Sequence, residues 1–589
     1  MSDGPTSVLE KWARSRSGQE PGARDTYGLI TRFSRRASPM STVSDHVTRA
    51  IAAHVDHVFG VMGNGNAHFL DSLERATHVT YTAVRHEAGA VVAADAHYRA
   101  GGGLAVATTT YGAGFTNTLT ALAEAVQAHS PLVLVVGDEP TSGPRPWDVD
   151  QIAMASAVGA RTYTVGRADA AATTVIAIEH ALTYRVPTVL AIPYDVARLE
   201  VGPVPELPEP RLPSPRAPMG PFAAAAVDDL ARTLAVAERP FLLAGRGAWL
   251  SGATDPLGRL ADATGAVTAS TALGRGVFPR SEYDLGVTGG FGAARAMELI
   301  RSADVAVVFG ASLNQFTMRF GDLFAPGTHV VQVDTAPAAT HPHVGGFLRA
   351  DAALAAEALV AALAKLNATP SGWRDRVDAA ALGEQDPGET LASDGRLDPR
   401  SAAVRIGELL PADRVVVSDG GHFIGWANMY WPVATPDRMI MVGTAYQSIG
   451  LGFASVPGAA LAKPDSTIVL TTGDGGGLMA LADLESAVRV AGGCGLAVVW
   501  NDRAYGAEVN LYGVQGLAMG PMMIPDVDFA KLAEAVGAEG VRVRTLDDLD
   551  RLAAWAATPP TDRRFLLLDL QVSGSVIAPY QLEVIKVNS

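Results

Sequence analysis

Two predicted strand ends carry the acidic residues that most strongly suggest chemistry in this chain. In the segment STIVLTTGDGGGLMALADLESAVRVAGGCGLAVVWND, Asp474 stands among four glycines after the apolar run 466–472. Asn501 and Asp502 follow the next apolar run, 496–500. The apolar positions between the two runs have helical spacing over 478–490, which predicts one strand–helix–strand unit. Both acids would then lie at the same edge of a parallel sheet, where ligands collect.

This combination of glycines and acids favours a site for a metal-bound diphosphate. Glycines before a helix let backbone N–H groups approach a phosphate, and the helix dipole favours its negative charge. Two carboxylates would repel that phosphate unless a cation lay between them. Mg²⁺ takes ligands of this kind, because it binds one or two carboxylates together with phosphate oxygens.

Three other interpretations of the glycine-rich segment are weaker. A dinucleotide fingerprint fails because Leu478 occupies its last glycine position, and a P-loop fails because Gly-Lys-Ser/Thr is absent. Taken alone, Gly-Asp-Gly is equally compatible with an ordinary turn that has solvated acids. The spacing from Asp474 to Asn501-Asp502 makes the ordinary turn the weaker interpretation.

With these residues the chain resembles thiamine-diphosphate-dependent enzymes of the acetolactate synthase, pyruvate decarboxylase and benzoylformate decarboxylase type. Their signature is Gly-Asp-Gly followed, at about this interval, by Asn-Asn. The resemblance implies that Asp474, Asp502 and the backbone carbonyl of Ala504 bind Mg²⁺. Asp502 replaces the second Asn of the family, which adds one negative charge.

The resemblance also implies further residues that contact the cofactor. SDGGHFIGWANMYW matches a stretch that contacts the diphosphate, and GTAYQSIGLGF matches one that shapes the cofactor. In the second stretch, Ile449 would wedge between the two cofactor rings and Gln447 would offer its carbonyl to the 4′-amino group. The implied cofactor-binding residues are Gly420, Gly421, His422, Phe423, Gln447, Ile449, Gly473, Asp474, Gly475, Gly476, Asp502 and Ala504. Singly, His422 is also compatible with a surface histidine and Ile449 with a core residue.

Five residues are candidates for the catalytic chemistry. Glu87, in the family-like element Arg-His-Glu-x-Gly-Ala, would activate the aminopyrimidine ring, although a glutamate also suits a helix N-terminus. Thr110 and Tyr111 would face the thiazolium ring. Asn64 would position a substrate oxygen, since an amide cannot transfer protons. Glu508 would protonate or orient the intermediate.

Composition limits the class of protein. The chain has 589 residues, a net charge of −15 and 48% hydrophobic residues, which describes a large globular protein and argues against nucleic-acid or anionic-membrane partners. No apolar run is long enough for a membrane helix. The only cysteine, Cys494, excludes an intrachain disulfide. We therefore expect a cytoplasmic protein, with residues 1–40 as a poorly ordered leader.

Two segments of turn-forming residues divide the chain. The stretch 202–220 contains seven prolines and is predicted to be an extended linker, and 366–400 is predicted to be a second linker. Three blocks, 41–201, 221–365 and 401–589, alternate β-branched runs with Ala/Leu-rich stretches. This alternation predicts an α/β fold with three mostly parallel sheets flanked by helices. The resemblance makes them pyrimidine-binding, central Rossmann-like and diphosphate-binding domains, and it allows FAD in the central one without requiring it.

The resemblance implies a carboligase or decarboxylase acting on a 2-oxo acid. An enamine formed after CO₂ loss would give an aldehyde, or an acyloin by addition to an aldehyde or a second 2-oxo acid. The active sites would lie between subunits of a homodimer or homotetramer. The alternatives are a non-ligating decarboxylase of the benzoylformate or phenylpyruvate type and a non-catalytic nucleotide-binding paralogue. Asp148 stands where acetolactate synthases have glutamine, and segment 142–151 lacks the paired histidines of pyruvate decarboxylases.

Overall fold

Three six-stranded sheets organise the computed structural model, which describes residues 41–588. The predicted leader, residues 1–40, lies outside the described residues. Within each of the three sheets every pair of neighbouring strands is parallel. Helices flank the sheets, so the predicted α/β fold with three mostly parallel sheets is confirmed.

The first sheet has the strand order β3-β2-β4-β5-β7-β6. A short antiparallel pair, β1 with β8, lies beside it, and Thr42 and Asp45 form a capping box that begins α1. The elements are β1 (Ser41–Thr42), α1 (Val43–Ala52), β2 (His57–Gly60), α2 (Ala67–Ala76), β3 (Thr80–Ala83), α3 (Glu87–Arg99), β4 (Val106–Thr109), α4 (Ala113–Thr116), α5 (Leu119–Gln127), β5 (Val133–Asp138), α6 (Gln151–Ala157), β6 (Arg161–Thr164), α7 (Ala170–Tyr184), β7 (Thr188–Pro193) and β8 (Glu200–Gly202).

The central sheet has the order β11-β10-β9-β12-β13-β14. No helix or strand occurs between the end of β8 and the start of α8, in line with the prolines there. The elements are α8 (Pro221–Ala235), β9 (Pro240–Ala244), α9 (Arg246–Leu250), α10 (Thr254–Thr264), β10 (Val267–Ser270), β11 (Asp284–Val287), α11 (Ala294–Arg301), β12 (Val305–Phe309), β13 (His329–Asp334), β14 (Gly346–Arg349), α12 (Ala352–Lys365) and α13 (Ala379–Leu382).

The third sheet has the order β16-β15-β17-β18-β20-β19. Its central strands are buried along their whole length, as expected for apolar strands covered on both faces. The elements are α14 (Pro399–Leu409), β15 (Arg414–Ser418), α15 (Ile424–Tyr430), β16 (Met439–Met441), α16 (Gly452–Ala462), β17 (Thr467–Gly473), α17 (Asp474–Met479), α18 (Leu484–Ala491), β18 (Gly495–Trp500), α19 (Gly506–Leu511), α20 (Phe529–Ala535), β19 (Glu539–Val543), α21 (Asp550–Ala557), β20 (Leu566–Leu570) and α22 (Pro579–Asn588).

Helices α3 and α16 join the first and third sheets into one core. Apolar residues of both helices belong to the same buried cluster. The helices approach so closely at Gly458 that an added Cβ would lie 1.9 Å from the carbonyl oxygen of Ala93. Glycine is therefore required at this crossing, because any side chain would force the helices apart.

The predicted continuous helix over 478–490 is wrong in one respect. Strand β17 extends to Gly473, α17 begins directly at Asp474, and a 3₁₀ turn at Leu481–Asp483 separates α17 from α18. The Asp483 carboxylate explains the interruption, since it accepts hydrogen bonds from the backbone N–H of Arg85 and from the Ser486 hydroxyl, both at 2.9 Å. A contact with the first domain thus overrides the local helical pattern.

A membrane-spanning helix is not found in the described part of the chain: none of its helices is both long and apolar enough to cross a bilayer.

Candidate active site

Asp474 and Asp502 lie side by side at the carboxyl edge of the third sheet. Strands β17 and β18 are neighbours, with Gly473 paired to Trp500, so the residue after each strand faces the same region. Both aspartates are buried. Burial, and then the negative charge of Asp502, raise the pKa of Asp474 to about 7. The strand–helix–strand unit therefore brings the two predicted metal ligands together.

The oxygen atoms of this pair suit a divalent cation. Asp474 Oδ2 is buried without a hydrogen-bond partner, and Asp502 Oδ2 meets the His422 Nε2 atom at 3.1 Å in an ion-pair contact. Carboxylate oxygens are the ligands that Mg²⁺ prefers. Among residues 41–588, no cluster of three or more His, Cys, Asp or Glu side chains forms a complete metal site, so backbone or ligand oxygens would have to complete the shell.

Two polar neighbours, Arg396 and Asn501, do not bond to the Asp502 carboxylate. Arg396 donates to the backbone carbonyls of Asn501 and Asp502, at 2.8 and 3.4 Å, and not to the carboxylate. The Asn501 amide donates to Asp569 Oδ1 at 2.8 Å, so this side chain is used inside the sheet. The Ala504 N–H donates to Asp502 Oδ1 at 3.2 Å, which folds the predicted ligand segment back onto Asp502.

His422 is placed against this pair by tight local packing. An added Cβ on Gly506 would lie 2.3 Å from the His422 ring, and Phe423 packs in the same way against Gly473. Burial disfavours the charged imidazolium, but the bond to Asp502 outweighs burial and raises the pKa of His422. His422, with its side chain 12% exposed, is therefore a partner of the predicted metal ligand, and its contact with the diphosphate stays a prediction.

Gln447 and Ile449 lie on a strained loop between β16 and α16. Gln447 is exposed with φ of 56°, and Gly443 and Gly450 also have positive φ values. A non-glycine residue in this region is uncommon and points to a functional constraint. Ile449 is half-buried. The loop thus presents both predicted cofactor contacts at the edge of the third domain.

Asp419 is a buried acid that the sequence reasoning missed. Its Oδ1 atom accepts backbone N–H groups of Gly450 and Leu451, at 3.1 and 3.2 Å, and also that of Gly420, at 2.8 Å. Burial raises its pKa to about 6, although these hydrogen bonds act in the opposite direction. Asp419 directly follows strand β15, whose sequence is RVVVS, so its position at a strand end, like that of Asp474, is the signal that could have found it.

The first-domain candidates gather at the carboxyl ends of β2 and β4. The Asn64 amide donates to the Tyr111 hydroxyl at 2.9 Å, and Thr110 Oγ1 accepts the Gly65 N–H at 2.9 Å. Glu87 is half-buried at the start of α3, where its Oε2 atom accepts a hydrogen bond from Asn117 at 3.0 Å. These residues therefore form a second group, separate from the metal-binding acids.

Arg145 is a second residue that sequence reasoning missed. Its guanidinium lies 4.0 Å from the Tyr111 ring centroid and donates two hydrogen bonds to Asp148, at 2.8 and 2.7 Å. Asp148 is only 3% exposed, so it is committed to Arg145. No sequence signal pairs these residues, because the loop 139–150 lacks periodicity.

The two groups do not meet within one chain. Among residues 41–588, no hydrogen bond or ion pair joins Glu87, Asn64, Thr110 or Tyr111 to Asp474 or Asp502. Glu508 is exposed on α19, close to the metal-binding acids in sequence. Asn64 in the first group and Glu508 beside the second are exposed, so each group has an open face.

Family models match all three domains of the chain. The N-terminal binding domain, central domain and C-terminal binding domain of thiamine pyrophosphate enzymes match residues 41–156, 227–364 and 419–570. The chain belongs to the thiamine pyrophosphate enzymes. The family resemblance seen in the sequence is confirmed, and the chain is an enzyme of this lyase and transferase class.

Similar proteins match most of the chain. A sulfoacetaldehyde acetyltransferase of Roseovarius nubinhibens is 26% identical, covering 92% of this chain and 94% of the relative. A probable acetolactate synthase large subunit of Methanocaldococcus jannaschii is also 26% identical, covering 86% and 88%. The solved 4-hydroxybenzoylformate decarboxylase of Rhodococcus jostii has a TM-score of 0.74 at 21% identity, covering 90% and 99%. The last comparison shows a shared fold.

Proposed function

We propose that this thiamine pyrophosphate enzyme uses Mg²⁺ to hold its cofactor and decarboxylates a 2-oxo acid, with transfer of the remaining fragment to an acceptor. The observation that carries the proposal is the buried pair Asp474 and Asp502 on adjacent strand ends: Asp474 Oδ2 has no partner, and Asp502 Oδ2 has only its ion-pair contact with His422. A buried acid without a partner is costly, so it needs a ligand to explain it.

Mg²⁺ would be held by Asp474, Asp502 and the carbonyl of Ala504. The glycines at the start of α17 would leave room for the diphosphate oxygens that complete the shell. Gly420, Gly421, His422 and Phe423 would line the diphosphate, and Gln447 and Ile449 the cofactor rings. The hard oxygen ligands of this set support Mg²⁺ over a softer metal.

The enzyme would act as a homo-oligomer in which each site joins two chains. Glu87 and the Asn64–Tyr111 pair lie in the first domain, whereas the metal-binding acids lie in the third. Both open faces carry exposed apolar side chains, including Met62 (66% exposed) in the first domain and Val514 (66%) in the third. Contact between the first domain of one copy and the third domain of another would cover both faces. Dimer and tetramer both satisfy this requirement.

The bound thiazolium ring supplies the electron sink for decarboxylation. Glu87, oriented by Asn117, would hold a proton against the aminopyrimidine ring. The Asn64 amide, fixed by Tyr111, would orient a substrate oxygen, with Thr110 holding the adjoining backbone. Glu508 would deliver a proton to the product.

A benzoylformate- or phenylpyruvate-type decarboxylase is the second candidate function. The first-domain face carries three aromatic rings around Arg145: Tyr111, Tyr194 and Trp147, which is 60% exposed. Because Asp148 already neutralises Arg145, this surface is better suited to an aromatic substituent than to a second anionic group.

FAD has no structural support in the central domain. Gly245 and Gly247 lie against Gly310 at the point where the strand order reverses, and an added Cβ on Gly245 would be 2.4 Å from Gly310 O. This close backbone contact lies at the point where a dinucleotide would be expected, but it does not require one. We derive no role for FAD.

We propose domain boundaries at 41–201, 221–365 and 401–589, with linkers 202–220 and 366–400, because the sheets and the family models fall inside them. The cytoplasmic location stays a prediction.

The test is CO₂ release by the purified chain with thiamine diphosphate and Mg²⁺, using pyruvate, benzoylformate and phenylpyruvate with and without acetaldehyde as acceptor. Glu87→Gln should bind the cofactor but lose activity, and Asp474→Ala should lose cofactor binding. Ligated product supports the first function, and aldehyde alone supports the second. A cofactor-loaded enzyme that releases no CO₂ from any substrate contradicts both.

A further inference from the structure

A buried ionic cluster connects the first domain to the cofactor loop of the same chain. Arg99, at the end of α3, donates to Asp95 at 2.7 and 2.6 Å and to Glu124 Oε1 at 3.0 Å. All three side chains are at most 3% exposed. Arg99 also donates to the carbonyl of Met441 at 2.7 Å, at the end of β16.

The second oxygen of Glu124 leaves this cluster and reaches the loop. Glu124 Oε2 accepts the backbone N–H of Tyr446 at 2.7 Å. The Arg99 guanidinium carries one positive charge and faces two carboxylates. The hydrogen bond from the Tyr446 N–H to Glu124 therefore helps to stabilise the negative charge that Arg99 does not neutralise. The contact spans 322 residues of sequence and crosses from the first domain to the third.

The loop is thus held at two points by two buried carboxylates. Glu124 holds it at Tyr446, and Asp419 holds it at Gly450 and Leu451. Gln447 and Ile449 lie between these two points. Gln447 has a left-handed backbone conformation, with φ of 56°, which persists only where surrounding contacts impose it.

We propose that Glu124 is a positioning residue for the cofactor, which fixes the 443–450 loop so that Gln447 and Ile449 face the cofactor rings. The inference rests on the proposed function, because it takes these two residues as cofactor contacts. In the proposed oligomer, the first domain of a second copy completes each site. The role of Glu124 means that the first domain of the same chain also supports the site, by holding the cofactor loop of the third domain.

Three variants of the intact chain test this role. Each is titrated with thiamine diphosphate at saturating Mg²⁺, and the change in intrinsic fluorescence gives the dissociation constant. Glu124→Met removes the loop contact and leaves Arg99 with Asp95. Asp95→Asn is the matched control, because it removes the other carboxylate of Arg99 and leaves the loop contact intact. Glu124→Gln keeps an oxygen that can accept the Tyr446 N–H, so it should restore part of the binding.

We expect Glu124→Met to raise the dissociation constant by about tenfold or more, Asp95→Asn by less than about twofold, and Glu124→Gln by an intermediate factor. Equal constants for Glu124→Met and Asp95→Asn would overturn the inference. If Glu124→Met does not fold, the comparison of Glu124→Gln with Asp95→Asn decides by the same criterion. A wild-type chain that binds no thiamine diphosphate would overturn the proposed function itself, whereas wild-type binding with equal variants overturns only the role of Glu124.

Discussion

Replacing Gly458 by alanine should separate the two helices that join the first and third domains. The added Cβ would lie 1.9 Å from Ala93 O and 2.8 Å from the His97 N–H nitrogen, where real contacts are at least 3.0 Å. Helix α3 or α16 must therefore move by about 1 Å or more, the difference between these contact distances.

The magnitude follows from two opposing terms. Alanine in a helix is favoured over glycine by about 1 kcal/mol. Overpacking in a closed core costs about 1–3 kcal/mol, and backbone on both sides leaves little room for relaxation at this crossing. We expect the free energy of unfolding of Gly458→Ala to fall by about 2 kcal/mol, taking the upper end of the overpacking cost.

The same displacement should reach the proposed active site, because α3 begins at Glu87. A misplacement of about 1 Å can cost on the order of 100-fold in rate. Urea unfolding gives the stability change, and kcat/KM for the accepted 2-oxo acid gives the functional change. Gly327→Ala is the control, since nothing lies within 4 Å of its Cβ position. A Gly458→Ala variant as stable as the wild type would show that the helices do not meet here.

Three further predictions concern charged residues. The pKa of Asp474 is raised to about 7 from 3.8, so ionisation destabilises the fold: the cofactor-free protein should lose stability as pH rises from about 4 to about 7. Asp474→Asn should therefore melt at a higher temperature than the wild type at pH 8 but not at pH 4. It should also lose the rise in melting temperature that Mg²⁺ with thiamine diphosphate causes. A melting temperature below that of the wild type at pH 8 would contradict the prediction. Arg145→Leu removes both guanidinium hydrogen bonds to Asp148, whose side chain is 3% exposed, and leaves it only the backbone N–H of residue 145. The free energy of unfolding should fall by about 1–3 kcal/mol in urea at pH 7. Arg75→Leu, which removes an exposed pair, should change little, and equal effects would refute the argument. Glu508→Gln should lower kcat by about 100-fold without changing the melting temperature, because the side chain is exposed; unchanged kcat would remove Glu508 from the mechanism.

Local patterns in the sequence predicted the features that depend on neighbouring residues. The β-branched runs and the glycine-rich turn after 466–472 sufficed for the parallel sheets and for the adjacency of Asp474 and Asp502. The helical pattern over 478–490 failed because Asp483 bonds to Arg85 N, about 400 residues earlier in the chain. The catalytic roles of Glu87, Asn64, Thr110, Tyr111 and Glu508 stay predictions.

By itself, the sequence determined the fold class and the strand ends that carry the acids, because strand periodicity and turn chemistry act over a few residues. The family followed from the resemblance of its motifs. Only the tertiary structure decided the distant partners of the buried charges: His422 with Asp502, and Glu124 with Arg99 and Tyr446. These pairings follow from the packing of elements that are far apart in the chain. A buried charge must find its partner wherever the fold brings one within about 3 Å, and sequence separation carries no information about that distance.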